Sequence, residues 1–165
     1  MKKKIRSILM LVGSFVITNS LFAQADNGVK AQNEGSKGTL VGRAIRSCFG
    51  GNTAKAEVYA VINRADWCLV CKQNSERVEG ILPEFKTKPI AFIPNDITDG
   101  QTSKSSTKYL KKLHIYEAVL PVKETGVMIL INAKTHQVIN KISLAESNQN
   151  IEAAINNSLN NSAKI

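Results

Sequence analysis

The stretch ADWCLVCK, residues 65–72, decides the fold, because it places Cys68 and Cys71 one helical turn apart behind a tryptophan. A short run dense in β-branched residues, 56–63, precedes this motif and predicts a buried strand. After Cys68 the apolar residues recur at spacings of three and four, which predicts a helix that begins at or near this cysteine. The cysteines are therefore expected at a strand-to-helix junction, as a redox centre, half of a metal site or a structural cross-link.

The alternatives to a redox pair are a zinc site, a haem attachment site and a structural disulfide, and the sequence gives little support to any of them. A structural zinc site needs four ligands, and besides Cys48 the chain offers only His114 and His136, which lie 22 residues apart. Haem attachment needs a histidine directly after the second cysteine, where this chain has Lys72. An inert disulfide would close too short a loop to restrict the unfolded chain much. We therefore predict a redox pair without metal or cofactor, with the structural disulfide as the strongest alternative, and we expect the histidines on the surface.

The N-terminus has the three parts of a secretory signal peptide. Positive residues within 2–6 are followed by an apolar run over 8–17 and by small residues before a cleavage site after Ala25. The run is shorter than the about 20 apolar residues that a membrane span needs, which favours a cleaved signal over an uncleaved anchor. We predict a periplasmic or secreted protein that is not inserted in the membrane after cleavage.

Removal of residues 1–25 leaves 140 residues, enough for one domain with its own core. The removed segment carries four of the 22 Lys and Arg and none of the 13 Asp and Glu, so the formal charge falls from +9 to +5. The remaining basic residues are scattered and no aromatic residues interleave with them, which argues against a nucleic-acid partner. Residues 26–51 are predicted to be a flexible leader with an additional strand at 39–45, followed by the domain at 52–160 and a tail at 161–165.

The first helix is followed by an alternation of strands and helices. Because proline cannot donate the interior hydrogen bond, Pro83 is expected to end or kink that helix. In chain order we then predict a strand at 90–93, a polar loop at 95–106, a helix at 107–113, a connector at 114–126, a hairpin of strands at 127–132 and 137–143, and a helix capped by Ser147. This order predicts an α/β fold in which helices cover both faces of a mixed sheet.

With a WCxxC motif at its first strand-to-helix junction, the chain resembles the thioredoxin fold over residues 54–160. The ADWCLVCK stretch itself is similar to the soluble, periplasm-facing thioredoxin domain of the membrane thiol:disulfide interchange reductases. The resemblance implies a central mixed sheet flanked by helices and a thiol:disulfide exchange activity at the two cysteines.

Thiol chemistry predicts a role for each residue of the motif. The thiolate attacks a disulfide, and a helix N-terminus lowers the pKa of a cysteine below its free value of about 8.5. Cys68 is therefore predicted to attack a partner's disulfide, and Cys71, deeper and one turn further, to resolve the mixed disulfide. Arg64 and Lys72 are predicted to add positive charge. Trp67 is predicted to be an exposed lid and partner surface, the alternative being an ordinary core aromatic.

The chain departs from the thioredoxin pattern in the strand before the motif. Thioredoxins usually carry a buried acidic residue six positions before the first cysteine, where it helps to move the proton of the resolving thiol. Here that position is Ile62. Either Glu79 or Asp66 substitutes for the missing carboxylate, or the proton passes through water or another group.

A second departure concerns the cis-proline that faces the cysteines in thioredoxins, at the start of the third core strand. Pro121 lies five residues too early for the strand at 127–132. Either Pro121 takes this place with a longer segment after it, or the segment facing the cysteines consists of Thr125, Gly126 and Val127. We favour the second interpretation, and these four residues are the predicted substrate-facing loop.

Cys48 is expected to be buried and inert, the alternatives being an intermolecular disulfide or a third redox partner.

The chain as a whole is predicted to be an exported thiol:disulfide oxidoreductase that acts on the disulfides of other exported proteins. We expect a reductant or isomerase-type exchanger, which needs an electron supply and hence a membrane electron-transfer partner. The alternative is a non-catalytic binding or chaperone module of thioredoxin fold with a stable disulfide between Cys68 and Cys71.

Overall fold

Four strands form the central sheet of the residues that the computed structural model describes, 53–164. They are β1 (Val58–Arg64), β2 (Ile90–Asp96), β3 (Val127–Asn132) and β4 (Val138–Ser143). Their order in the sheet is β2-β1-β3-β4, with β1 parallel to β2 and β3 antiparallel to both β1 and β4. The predicted signal peptide, the strand at 39–45 and Cys48 lie outside the described residues.

The helices that accompany the sheet are α1 (Leu69–Ile81), α2 (Gly100–Lys112), α3 (Tyr116–Val119) and α4 (Asn148–Ser162). Short 3-10 turns lie at Thr53–Lys55 and Leu82–Phe85. Within this part of the chain no helix has the length and apolar character needed to cross a membrane. We call the end of the sheet where β1 and β2 finish and β3 begins the cysteine end, and the opposite end, where β3 turns into β4, the hairpin end.

The core lies on both faces of the sheet, because successive side chains of a strand point to opposite sides. In β1, Val58, Ala60 and Ile62 pack against α1 and α4. Tyr59 and Val61 point the other way and pack against α2 and α3. This mixed sheet between two layers of helices confirms the predicted α/β class and the thioredoxin-like fold.

The predicted start and end of α1 and the predicted start of α4 are confirmed. Cys68 is the N-cap of α1, with an extended backbone and a side chain that accepts the N–H of Cys71. Pro83 lies in the 3-10 turn directly after α1, where its missing N–H interrupts no helical hydrogen bond. Ser147 caps α4 and accepts the backbone N–H of Asn150. Local capping chemistry was therefore sufficient to predict these boundaries.

Two predicted boundaries around β2 are wrong. The strand does not stop at residue 93 but continues through Pro94, because β2 is an edge strand and the proline removes no ladder hydrogen bond there. The predicted polar loop at 95–106 is mostly helix, since α2 begins at Gly100. Asp99 and Thr102 form a reciprocal capping box that starts this polar helix. The predicted connector at 114–126 also contains a short helix, α3.

Candidate active site

Cys68 and Cys71 are joined by a disulfide, with their Cα atoms 5.3 Å apart. Each cysteine is only 4% exposed, so the prediction that Cys71 lies deeper than Cys68 is wrong: the first turn of α1 buries both side chains equally. The Sγ atom of Cys68 accepts a hydrogen bond from the backbone N–H of Cys71 at 3.1 Å. That N–H is one of the donors that a helix leaves unpaired in its first turn, so it favours negative charge on the Cys68 sulfur once the disulfide is reduced. The start of α1 thus directs a backbone donor at the Cys68 sulfur.

An exposed apolar surface borders the disulfide. Trp67 is 62% exposed and Leu69 is 66% exposed, although both are large apolar residues. The indole N–H of Trp67 donates to the carbonyl oxygen of Thr98 at 3.2 Å, and the backbone N–H of Asp66 donates to Oγ1 of Thr98 at 3.0 Å. Trp67 therefore lies on the surface beside the cysteines, and its alternative placement in the core is wrong.

Arg64 is engaged by two carboxylates rather than directed at Cys68. Its guanidinium pairs with Asp96 at 2.6 Å and with Asp66 at 2.8 Å. Because these carboxylates balance its charge, Arg64 contributes little net positive potential to the cysteines. Lys72 is exposed, and within residues 53–164 its ammonium group forms no ion pair. Of the two predicted basic residues, Arg64 therefore joins the ends of β1 and β2, and Lys72 points to solvent.

Asp96 and Thr98 were not predicted as site residues. Oδ1 of Asp96 accepts the backbone N–H of Thr98 at 3.0 Å, an Asx-type turn that follows directly after β2. Thr98 in turn binds Asp66 and Trp67, as described above. An aspartate two residues before a threonine at the end of a strand was the available signal for this turn, but its contact with the motif depends on the pairing of β1 with β2.

A small cleft lies beside Ile62, the residue at the position where thioredoxins usually carry a buried acid. Ile62 is 5% exposed and forms part of the cleft wall. The other residues that line it are Arg64, Ser75, Val78, Glu79, Leu82 and Leu144. Its volume of about 20 Å³ is sufficient for a water molecule. The buried Nε of Arg64 has no hydrogen-bond partner among the described residues.

Glu79 and Asp66, the two candidate substitutes for the missing acid, lie in different surroundings. Burial raises the pKa of Glu79, an effect that nearby Arg64 opposes and nearby Glu76 reinforces. Asp66 is exposed and paired with Arg64. Glu79 is thus the carboxylate that shares a cleft with Ile62.

Gly126 is the residue that faces the disulfide from the start of β3. It is buried and has a φ of +73°, a backbone conformation that glycine adopts readily. A Cβ at this position would lie 2.7 Å from Cγ1 of Val70 and 3.4 Å from Sγ of Cys68. Thr125 and Val127 flank Gly126 in the chain, whereas Pro121 lies five residues earlier and is exposed. The geometry thus brings the segment around Gly126 to the cysteines.

The two histidines lie away from the cysteines. His136 belongs to the turn at the hairpin end, and its ring stacks on that of His114 with centroids 6.0 Å apart. Both have left-handed backbones, with φ of 58° for His114 and 59° for His136. In the described part of the chain no group of three or more His, Cys, Asp or Glu side chains could hold a metal ion.

Comparisons with known proteins add one structural similarity. No protein-family model matches the chain, and no curated protein matches it in sequence. Among solved structures, the chain is similar to Trxlp from Edwardsiella tarda EIB202, with 20% sequence identity and a TM-score of 0.38. The match covers 66% of this chain and 87% of Trxlp. The strand order of the sheet and the CxxC disulfide at the start of α1 together make this a thioredoxin-like fold with a disulfide-forming CxxC pair.

Proposed function

We propose that the protein is an exported thiol:disulfide oxidoreductase that exchanges disulfides with other exported proteins through Cys68 and Cys71. The observation that carries the proposal is the place of Cys68. Its sulfur is the N-cap group of α1, accepts the N–H of Cys71 and is bonded to the Cys71 sulfur. A cysteine so placed is a good attacking thiolate with a resolving thiol in reach.

The proposed reaction moves two electrons from the reduced pair to a partner disulfide. The Cys68 thiolate attacks one sulfur of the partner, a mixed disulfide forms, and the partner's other sulfur leaves as a thiolate that takes up a proton. Cys71 then loses its proton, and its thiolate attacks the Cys68 sulfur. This step forms the Cys68–Cys71 disulfide and releases the partner as a dithiol. A second dithiol must then reduce the pair again, and we propose a membrane electron-transfer protein as its source.

The direct test is catalysed reduction of insulin by the mature chain, residues 26–165, with dithiothreitol as the electron donor. We expect turnover, and a reduction potential nearer to the about −270 mV of a reductant than to the about −120 mV of a strong oxidant. A potential below about −300 mV together with no turnover would overturn the proposal, because such a disulfide is a structural one.

Cysteine variants test the two roles in the compartment where we expect them. Cys71→Ser should accumulate mixed disulfides with exported proteins, since the attacking thiol remains and the resolving thiol is lost. Cys68→Ser is the matched control, because the two cysteines are equally buried at 4% exposure. Equal trapping by both variants would contradict the assigned order of attack.

Export itself is tested by fusing residues 1–40 to a phosphatase that becomes active only outside the cytoplasm.

A binding or chaperone module is the second candidate, and two observations favour it. Ile62 fills the place of the usual acid with an apolar side chain, and both cysteines are well buried. A stable disulfide that never turns over would need neither a proton acceptor nor an accessible sulfur. In the insulin test, an inactive protein that still binds unfolded exported proteins would support this candidate.

A further inference from the structure

Asn63 places a buried amide in a strand that is otherwise apolar up to its last residue. It lies at the cysteine end of β1 and is 1% exposed. Its Nδ2 donates to the carbonyl oxygens of Val122 at 3.1 Å and of Glu124 at 3.2 Å, and its Oδ1 accepts from Nδ2 of Asn95 at 2.8 Å. Both donors of the amide are thus used on one segment, residues 122–126. Because an unpaired buried amide is unfavourable, Asn63 strongly constrains where that segment lies.

The same segment is fixed at Gly126 by its backbone. The N–H of Gly126 donates to the carbonyl oxygen of Asn63 at 2.8 Å, and the carbonyl oxygen of Gly126 accepts the N–H of Leu144 at 2.8 Å. Gly126 packs so closely on Val70 and Cys68 that even a Cβ would collide with Val70. A small displacement of the segment therefore changes what covers the Cys68 sulfur.

Other features of the segment provide little rigidity. Its sequence, VKETG, contains no proline, and the side chains of Lys123 and Glu124 are exposed. Glu124 pairs with Lys141 at 2.8 Å, but both side chains are largely in solvent, where such pairs contribute little to stability. Ordering this segment has an entropic cost that the buried hydrogen bonds of Asn63 must offset.

We propose that Asn63 and Asn95 are positioning residues that hold the segment 122–126 against the Cys68–Cys71 disulfide and thereby govern access to it. Asn63 acts directly on the segment, and Asn95 acts through the Oδ1 of Asn63. The consequence for catalysis rests on the proposed function, because a partner must reach the Cys68 sulfur beside Gly126. Access by a small thiol does not depend on that function.

The test measures two rates in Asn63→Ala, both per folded molecule. The first is the rate at which dithiothreitol reduces the Cys68–Cys71 disulfide, during which the reagent becomes a cyclic disulfide and the protein a dithiol. We expect this rate to rise several-fold, since the segment no longer covers Cys68. The second is insulin turnover, whose kcat/KM should fall about tenfold, because two buried hydrogen bonds that order the docking segment are lost.

Asn132→Ala is the matched control. Asn132 is also a buried asparagine, at 3% exposure, and it also fixes a loop of β3 by accepting the N–H groups of Lys134 at 2.8 Å and Thr135 at 2.9 Å. It lies at the hairpin end, away from the cysteines. We expect this variant to lose stability while both rates per folded molecule stay at the wild-type values. Asn95→Ala leaves the bonds of Asn63 to the segment in place and should show the Asn63→Ala changes in weaker form.

The outcomes separate this proposal from the proposed function. Equal rates of dithiothreitol reduction in Asn63→Ala and Asn132→Ala would overturn the positioning role, and so would an unchanged rate in Asn63→Ala. If Asn63→Ala does not fold, Asn95→Ala takes its place: an unchanged rate of dithiothreitol reduction in that variant would overturn the positioning role. A wild-type protein that does not turn over insulin and has a reduction potential below about −300 mV would refute the oxidoreductase proposal. Faster dithiothreitol reduction in Asn63→Ala and Asn95→Ala, but not in Asn132→Ala, would still support the positioning role.

Discussion

Each end of the sheet is held by a buried asparagine, but the hydrogen bonds of the two asparagines to the backbone span very different distances along the chain. At the hairpin end, Asn132 binds the backbone of Lys134 and Thr135, two and three residues further on. At the cysteine end, Asn63 binds the backbone of Val122, 59 residues away. A local turn can form early and by itself, whereas the long-range contact exists only after β1 and β3 have paired.

This difference between local and long-range contacts affects the candidate site, because the site lies at the cysteine end. The turn at the hairpin end is closed by hydrogen bonds between near neighbours, so it can persist even if the rest of the domain loosens. Two longer hydrogen bonds, from Nδ2 of Asn132 to Oγ of Ser162 at 3.2 Å and from the N–H of Ala133 to the carbonyl oxygen of Glu57 at 2.9 Å, join this turn to the rest of the domain. The cysteine end is assembled from the ends of β1, β2 and β3, which meet only in the folded sheet. Changes to the buried residues that hold this end together should therefore affect stability and disulfide reactivity together, while changes at the hairpin end should affect stability alone.

The largest expected effect is that of Gly126→Ala, at the cysteine end. The substitution places a side chain on a backbone with φ of +73° and puts its Cβ 2.7 Å from Val70. A left-handed backbone and overpacking together should lower the free energy of unfolding by about 2–4 kcal/mol. Urea unfolding of the oxidised protein measures this change.

Gly80→Ala is the control for that experiment. Gly80 lies inside α1, and a Cβ there would meet nothing within 4 Å. Because alanine favours a helix more than glycine does, this variant should gain about 0.5–1 kcal/mol. A Gly126→Ala protein as stable as wild type would show that the segment 122–126 can move away from the disulfide without loss, contrary to the close packing described.

The next effect, in catalysis rather than stability, is that of Trp67→Ala. Trp67 is 62% exposed, so its removal should change the free energy of unfolding by less than about 0.5 kcal/mol. If partners dock on this surface, a lost tryptophan contact of about 2 kcal/mol raises the KM for insulin roughly 30-fold. Tyr109→Ala, on the far part of α2 and 40% exposed, is the control and should leave KM unchanged. The same KM in both variants would remove Trp67 from the docking surface.

The sequence predicted the parts of the fold that depend on local pattern. Residues 127–132 form β3 as predicted, because a continuous apolar run is typical of a strand buried on both faces. The start of α1 at Cys68 and the cap at Ser147 follow from residue chemistry within one turn. The start of α2 was missed because Leu110 is its only buried residue, so the helix has almost no apolar periodicity to detect.

The candidate site was less predictable, because most of its contacts join residues that are far apart in the sequence. The cysteines and Trp67 stand together in sequence, so their neighbourhood could be predicted. The pairing of Arg64 with Asp96 depends on the register that places the two residues opposite each other on β1 and β2. The contact of Asn63 with residue 122 likewise depends on the tertiary fold. A polar residue within a run predicted to be buried was the only local sign that such a contact had to exist.

A smaller, pH-dependent effect is expected at the cleft of the cysteine end. Burial raises the pKa of Glu79 above its ordinary value of 4.5. Between 4.5 and the raised pKa, the folded protein retains a proton that the unfolded chain has released, so stability falls as the pH rises through this window. Glu79→Gln has no such proton, and its stability relative to wild type should increase from pH 4 to pH 7 in urea unfolding.

Asp99 is the control, because its contribution to stability depends on pH with the opposite sign. Hydrogen bonds from the backbone of Thr102 and Gln101 lower the pKa of Asp99 below its ordinary value of 3.8. The stability that it contributes is present above that value and is lost as the pH falls through the lowered pKa. Asp99→Ala should therefore be destabilising at pH 7 and less so in strong acid. The same pH slope for Glu79→Gln and Asp99→Ala would contradict the burial of Glu79 in the cleft.

The smallest effect is expected at the hairpin end. His136 has a φ of 59°, where glycine is not strained, so His136→Gly should raise the free energy of unfolding by less than about 1 kcal/mol. Part of that gain is offset because the ring contact with His114 is lost and glycine is more flexible in the unfolded chain. The rate at which dithiothreitol reduces the Cys68–Cys71 disulfide should be unchanged, since the hydrogen bonds of Asn132 keep the turn local. A change in that rate as large as the one in Asn63→Ala would mean that β3 transmits changes from one end of the sheet to the other, and the two ends would not be independent.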